Sequence, residues 1–319
     1  MKALITGIAG FAGSHLAEYL LQEGLSVLGI LRGTTDNIDH IRHRLTLYTL
    51  DLTRERPVEI LQEERPELVF HLAAQASVTR AWQDPESTMI NNVLAQLNLL
   101  QAVVEAEIKP GILILGSNEE YGLVKKEESP VTENNPLRPI NPYGVSKIAQ
   151  DMMGYQYFLS HGLRCFRLRP FPHIGPRQAP FFVAASLAKQ IAEAEVGRRP
   201  PVVQVANLEA SRDFTDVRDV VRGYYLALTR GEPGEVYNLG SGREISIRNI
   251  LDFLLARARI SISVEQEPHT PRPIDPLSTG TCDYSRFQKA TDWQPQIAIE
   301  QTLGDILEYW RRQTARETR

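Results

Sequence analysis

The chain has 319 residues, of which 42% are hydrophobic and 23% charged, values that suit one large or two unequal globular domains around a sizeable core. A net charge of only -4 argues against a nucleic-acid surface and carries no membrane-binding signal, and no apolar run approaches the ~18 residues that span a bilayer. Cys165 and Cys282 are too few for a disulfide framework or a structural zinc site, and His40 and His43 have no ligand partners at metal spacing, so a cytoplasmic chain without a metal is expected.

The opening, MKALITGIAGFAGSHLAEYLL, begins with a short run of strand formers at 2–6. Gly7, Gly10 and Gly13 follow at three-residue spacing, and 11–23 continues with helical periodicity. Met1-Lys2 before an apolar stretch imitates a signal peptide, but the stretch holds the glycine turn and runs straight into an amphipathic helix. A strand turning through glycines into a helix gathers backbone N–H groups and a positive helix end at one point, which is where a pyrophosphate binds. The glycines allow the tight turn, the close ligand approach and the close packing of helix on strand.

Further strands are expected at 26–31, 46–51, 68–72, 111–116 and 164–169, with helices at 56–63, 86–106 and 142–160. Such alternation predicts an α/β fold with a doubly wound parallel sheet of Rossmann type, its ligand beyond the C-terminal strand ends. After Pro170 proline and glycine rise and elements shorten, with helices at 217–228 and 247–258. This predicts a dinucleotide-binding domain over 1–170, to which 213–240 returns, and a smaller, partly irregular C-terminal substrate domain from 171–212 and 241–312. The segment 313–319 reads as a frayed polar tail.

Asn141-Pro142-Tyr143-Gly144-Val145-Ser146-Lys147 places a tyrosine and a lysine four apart at a helix start, with Asn141 as cap and Pro142 in the first turn. Residues i and i+4 share a face. A phenol loses its proton near pH ~10, and a neighbouring ammonium lowers that value, so the pair suits proton exchange with an alcohol or sugar oxygen. Ser117, directly after the fifth strand, brings a hydroxyl to the same sheet edge. His71 ends an apolar strand and reads as structural, and Cys165, inside a strand, as inert core.

Gly7-x2-Gly10-x2-Gly13, His71-Leu72-Ala73-Ala74, Ser117, Tyr143-x3-Lys147 and Arg212-Asp213-Phe214 together resemble the extended short-chain dehydrogenase/reductase family over nearly the whole chain. EESPVTENNPLRPINPYGVSK, HIGPRQAPFFVA, NLEASRDFTDVRDVV and ATDWQP look most like the GDP-4-dehydro-6-deoxy-D-mannose reductases, with the GDP-mannose 4,6-dehydratases next. The resemblance implies that Tyr143 is the acid/base, that Lys147 holds the nicotinamide ribose and tunes Tyr143, and that Ser117 orients the reacting C4 oxygen. It implies a pyrophosphate cradle at Gly7, Gly10, Phe11, Ala12 and Gly13, adenine between Asp51 and Leu52, a channel lined by Ala73 and Ala74, and Asn92 under its floor. On the substrate side it implies Asn118, Glu119 and Asn207 near the sugar nucleotide, Arg212 and Arg272 on the diphosphate, and Asp275 on the ribose hydroxyls. Two departures stand out: Pro172 where asparagine is usual, which removes a donor, and Ala206 where glycine is usual.

The reaction so implied is reduction of a 4-keto GDP-sugar to GDP-D-rhamnose. The alternative is a 4,6-dehydratase using Glu119 as the C5 base, and a rival of another class is a catalytically silent dinucleotide-binding regulator. Enzymes that prefer NAD(H) carry a carboxylate roughly 20 residues beyond the glycines. Here the second strand ends Gly29-Ile30-Leu31-Arg32-Gly33, with no carboxylate until Asp36, so Arg32 is expected to meet a 2′-phosphate and NADP(H) to be preferred over NAD(H). Helices 86–106 and 142–160 are apolar on more than one face, at Val93, Leu97, Leu100, Met152, Met153 and Tyr157. In the resembling family these helices pair across a two-fold axis, so a homodimer through a four-helix bundle is expected.

Overall fold

The computed structural model describes residues 1–266, 274, 276 and 278–316. Seven strands form the central sheet: β1 (Lys2–Thr6), β2 (Ser26–Leu31), β3 (Leu45–Thr49), β4 (Leu68–His71), β5 (Gly111–Leu115), β6 (Arg164–Pro170) and β7 (Val236–Leu239). They lie in the order β7-β6-β5-β4-β1-β2-β3, and every pair is parallel. The chain runs outward from β1 to β3 and then returns to β4 on the other side of β1, so the order reverses between β1 and β4. In such sheets the ligand crevice lies beyond the C-terminal ends of the strands at that reversal. Gly7 follows β1 there, and Ala73 follows β4. The sequences LVFH of β4 and GILIL of β5 are nearly continuous in apolar residues because both faces of the sheet are covered.

The helices α1 (Phe11–Gln22), α2 (Val58–Glu64), α3 (Ala95–Glu105), α4 (Pro142–His161) and α6 (Val217–Arg230) cover it, while α5 (Val183–Glu195), α7 (Ile247–Leu255) and α8 (Ile299–Arg316) lie in the other lobe. Leu16 and Leu20 of α1 and Val220 and Tyr224 of α6 share one core with Ile5, Phe70 and Leu113. Leu61, Leu99, Val103 and Tyr157 of α2, α3 and α4 share a second with Leu4, Val69 and Ile112, on the opposite face of the sheet. A third core belongs to the other lobe, where α5, α7 and α8 bring together Ala188, Ile191, Ile250, Leu254, Ile306 and Trp310. Full burial of each such side chain is worth about 1.5–3 kcal/mol, so this lobe has a core of its own.

Most sheet elements match the sequence expectation to within two residues. The third strand differs: it ends at Thr49, and Asp51 lies in the following turn, where its Oδ1 accepts from Thr53 N at 3.0 Å and Thr53 Oγ1 at 2.8 Å. An aspartate that satisfies the backbone two residues on makes a turn rather than a strand end. The expected helix over 86–106 carries a π-helical section at Ile90–Leu94 between Pro85–Met89 and α3. Beyond Pro170 the elements do not all shorten, since α5 has 13 residues and α8 has 18. Nor does a frayed tail begin at Gln313. Helix α8 runs to Arg316 with Thr314 buried, because Leu303, Ile306, Leu307, Trp310 and Thr314 form one stripe facing the core.

The residues chosen as a partner-facing set also divide. Leu100 and Tyr157 are buried in their own chain's core, Leu97 and Met153 pack against it, and Val93 is half-buried. Met152 is exposed, and with it Ile90, Leu94, Val104, Val145 and Leu159.

Candidate active site

Gly7 has φ +71°, and its N–H donates to Ile30 O at 2.8 Å, which ties the turn to β2. A Cβ on Gly7 would lie 2.9 Å from Ala73 N, and one on Gly13 only 2.3 Å from Gly7 O. Any side chain at either position drives loop, β4 and helix apart. Helix α1 starts at Phe11 with no side-chain cap and no acidic residue in its first turn, leaving a positive end fit for an anion. The Phe11 ring stacks on His173 at 5.8 Å, and Ala12 packs partly buried on the sheet core.

Beside this cradle is a cavity of about 190 Å³ lined by Gly7, Gly10, Arg32, Asp51, Leu52, Ala73, Ala74 and Asn91, among others. The structure thus brings seven of the sequence-selected cofactor residues to one hollow. Arg32 Nη2 donates to Asn91 Oδ1 at 2.9 Å and Nη1 to Asp51 Oδ1 at 3.3 Å. Asn92, fully buried in the π-helical section, accepts from Gln75 N at 2.7 Å and donates to Ser146 Oγ at 2.9 Å. It joins the loop after β4 to α4 from behind the channel. A π-helical turn is a common way of aiming side chains at a functional site.

Helix α4 starts where the sequence places it, with Asn141 Oδ1 accepting from Gly144 N at 2.8 Å. Tyr143 and Lys147 share a face, the Lys147 Nζ lying 5.7 Å from the Tyr143 ring centre, and the Ser117 side chain lies near enough to the Tyr143 phenol to pull its pKa down. Ser117 Oγ accepts from Glu119 N at 3.2 Å. The three side chains meet beyond β5, at the sheet edge that carries the glycine cradle. Electrostatically, however, burial pushes the Tyr143 phenol above its ordinary value, Ser117 pulls it down, and Glu119 and Glu120 push it up again. Lys147 does not offset this, contrary to the sequence reading. Its ammonium donates instead to Leu115 O at 3.0 Å and Gln150 Oε1 at 2.8 Å, and burial lowers it to about 8 against the pull of Glu120.

Glu119 Oε2 accepts from Asn141 Nδ2 at 2.7 Å, so this carboxylate is held by the residue that caps α4. Asn118 is buried, and its Nδ2 has no hydrogen-bond partner among the described residues. In the other lobe, Asn207 Oδ1 accepts from Glu209 N at 3.0 Å, and Arg212 donates to Ser211 O at 2.6 Å and Pro276 O at 3.1 Å. Arg272 and Asp275 lie outside the described residues. Pro172, which has no N–H to give, offers its carbonyl to Thr215 N at 3.0 Å. His71 is buried with Nδ1 2.9 Å from Thr6 Oγ1, and burial, with the Lys147 charge second, lowers it to about 3. It stays neutral and structural. Burial pushes the Cys165 thiol up to about 12. A larger open cleft of about 460 Å³ lies on the outer side of α1, bounded by Asp36, Arg177, Tyr309 and Arg312. None of Ser117, Tyr143 or Lys147 lines it.

Sequence reasoning missed Gln150, Glu120 and Asn91. Gln150 sits three residues after Lys147 on the same helix, and Ser117-x-x-Glu120 has capping-box spacing, so both signals were present. Asn91 carries no such pattern.

The sequence model of GDP-mannose 4,6 dehydratase matches residues 4–306. GDP-6-deoxy-D-mannose reductase of Pseudomonas aeruginosa is 35% identical over 309 residues, covering 97% of each chain. The solved structure of RMD from Pseudomonas aeruginosa complexed with NADPH superposes with a TM-score of 0.84 at 34% identity, covering 98% of this chain and 99% of that one. UDP-glucose 4-epimerase of Thermus thermophilus in complex with NAD gives 0.86 at 29% identity, with the same coverage. The seven-stranded parallel sheet agrees with these matches, and the chain belongs to the GDP-mannose 4,6-dehydratase family of extended short-chain dehydrogenase/reductases.

Proposed function

We propose that the chain is an NADP(H)-dependent reductase that converts GDP-4-dehydro-6-deoxy-D-mannose to GDP-D-rhamnose. The observation that carries this reading is the meeting of Ser117, Tyr143 and Lys147 beside a glycine cradle that a Cβ would fill, in a chain 35% identical to a GDP-6-deoxy-D-mannose reductase. The residues present fit a dinucleotide: an uncapped helix end for its pyrophosphate at Gly7, Gly10, Phe11, Ala12 and Gly13, and a hollow between Asp51, Leu52, Ala73 and Ala74 for its adenosine half. Asn92 braces that channel, and Arg32 faces the 2′-phosphate.

NADPH held there would supply the hydride for reduction at the sugar C4. Tyr143 delivers the proton to the C4 oxygen, which becomes the new hydroxyl. Ser117 holds that oxygen in line with the phenol. Lys147, drawn off Gln150, holds the nicotinamide ribose. Asn118 turns its unpartnered amide toward the substrate, Asn207 shapes the approach to it, and Arg212 grips the diphosphate together with Arg272, while Asp275 binds the ribose. The dinucleotide-binding domain takes 1–170 and 213–240 and the substrate domain 171–212 and 241–312. The enzyme works in the cytoplasm as a homodimer, the exposed Leu94, Val145, Met152 and Leu159 supplying the four-helix contact. Glu119, tied to Asn141, serves the α4 cap rather than acting as the C5 base of a dehydratase.

The test is NADPH oxidation with the 4-keto-6-deoxyhexose carried on GDP or on dTDP. Turnover at least tenfold faster on the GDP-sugar is expected, and equal rates on both would overturn the choice of base.

A further inference from the structure

Glu120 is a fully buried carboxyl that the proton transfer leaves unused. It follows Ser117 by three residues on the single 3-10 turn Asn118–Glu120, and its Oε1 accepts the Ser117 N–H at 2.8 Å. Its Oε2 lies 3.0 Å from Arg169 Nε on β6, a charge contact without a hydrogen bond, because that N–H is directed at Asp151 Oδ2. Arg169 is fixed in turn by Asp151 of α4, whose Oδ2 receives Nε at 2.9 Å and Nη2 at 2.6 Å, and it donates to Tyr121 OH at 3.1 Å. The carboxyl therefore links the loop after β5 to β6 and α4 in one buried network.

The chain also keeps a place for it. A Cβ on Gly116 would lie 2.1 Å from Glu120 Oε1, so the carboxyl folds under the strand end only because residue 116 has no side chain. Burying a carboxyl costs several kcal/mol unless it is paired and hydrogen-bonded. Burial, with the Asp151 charge second, raises the Glu120 carboxyl to about 8, and the hydrogen bond it does accept comes from one particular donor, the backbone N–H of Ser117. That bond fixes the backbone from which the Ser117 hydroxyl emerges toward Tyr143.

We propose that Glu120 is a positioning residue that acts through Ser117. Anchored on Arg169, its carboxyl sets where the Ser117 hydroxyl stands relative to the Tyr143 phenol and the reacting oxygen. A side chain that misplaces a reacting group by about an ångström costs on the order of 10²-fold in rate, so the effect belongs in kcat rather than in cofactor affinity. The proposal rests on the role given above to Ser117.

The experiment is a double-mutant cycle on NADPH-dependent reduction of GDP-4-dehydro-6-deoxy-D-mannose, with wild type, Glu120→Ala, Ser117→Ala and the double variant. Glu120→Ala is expected to lower kcat by 10- to 100-fold, on the order of the misplacement cost above, with KM and NADPH affinity within about threefold of wild type. In the Ser117→Ala background the same change is expected to cost less than about threefold more, because its route of action is gone. Glu120→Gln, which keeps a carbonyl acceptor for the Ser117 N–H, is expected to recover most of the rate. If Glu120→Ala does not hold the native fold, Glu120→Met runs the same cycle at similar side-chain length. An equal loss in both backgrounds, or a Glu120→Ala kcat near wild type, overturns the proposal. A Ser117→Ala enzyme with wild-type kcat removes the Ser117 role itself, and the proposal with it.

Discussion

Replacing Arg32 by alanine tests how the chain selects its cofactor. Arg32 lies just past β2 with its side chain 55% exposed, shared between Asp51 at 3.3 Å and Asn91 at 2.9 Å. A 2′-phosphate entering the hollow draws the guanidinium away from Asp51. Charge-assisted hydrogen bonds of that kind are worth about 1.5–3 kcal/mol. The exposed pair with Asp51 that is given up is worth about 0.2–1 kcal/mol. The net gain is about 1–2 kcal/mol, which at 1.4 kcal/mol per decade is roughly 5- to 30-fold. The assay is kcat/KM for NADPH and for NADH, on wild type and Arg32→Ala. Wild type is expected to prefer NADPH, and the variant to lose about that factor with NADPH while changing less than threefold with NADH. A wild-type preference for NADH, or an equal loss with both cofactors, refutes the assignment.

Three further outcomes follow from the same geometry. Tyr143→Phe removes the proton donor but not the ring, so kcat is expected to fall by about 10²–10⁴-fold with NADPH affinity retained; kcat within tenfold of wild type counts against the assignment. Burial, with Arg177 second, lowers His15 to about 4. The unfolded chain takes up this proton below about pH 6.5 and the folded chain does not, so the stability of wild type relative to His15→Gln declines as the medium is acidified. Urea unfolding is expected to show that difference shrinking by about 2 kcal/mol between pH 7 and pH 5, and no change would contradict the reading. Leu94→Glu with Met152→Glu puts charge on the exposed faces of the two helices; the proposed homodimer predicts a dimer mass by light scattering for wild type and a folded monomer for the variant, and a monomeric wild type contradicts it.

What the sequence discloses and what it hides divide along physical lines. The glycine spacing, the Tyr143–Lys147 step and the cap at Asn141 are local patterns, fixed by turn geometry or helical period, and the structure carries them where they were read. The strands β1 and β2 are legible for the same reason, being apolar runs bounded by turns. Helix α8 was missed because charged residues alternate with its stripe from Leu303 to Thr314, although the three-and-four spacing is present. The strand β7 is four residues long and takes its place only by pairing with β6. The electrostatics of Tyr143 were misread because burial and the direction of Lys147 Nζ are tertiary facts. Asn91 and Arg169 belong to the site through contacts that no single segment contains.

The most direct measurement compares two incubations of the purified enzyme: GDP-4-dehydro-6-deoxy-D-mannose with NADPH, and GDP-mannose with NADP. The account predicts stoichiometric NADPH oxidation and a GDP-6-deoxyhexose bearing a new C4 hydroxyl in the first, with GDP-mannose unchanged in the second. Conversion of GDP-mannose to a 4-keto product, without NADPH oxidation on the keto-sugar, would contradict it and return Glu119 to the role of base.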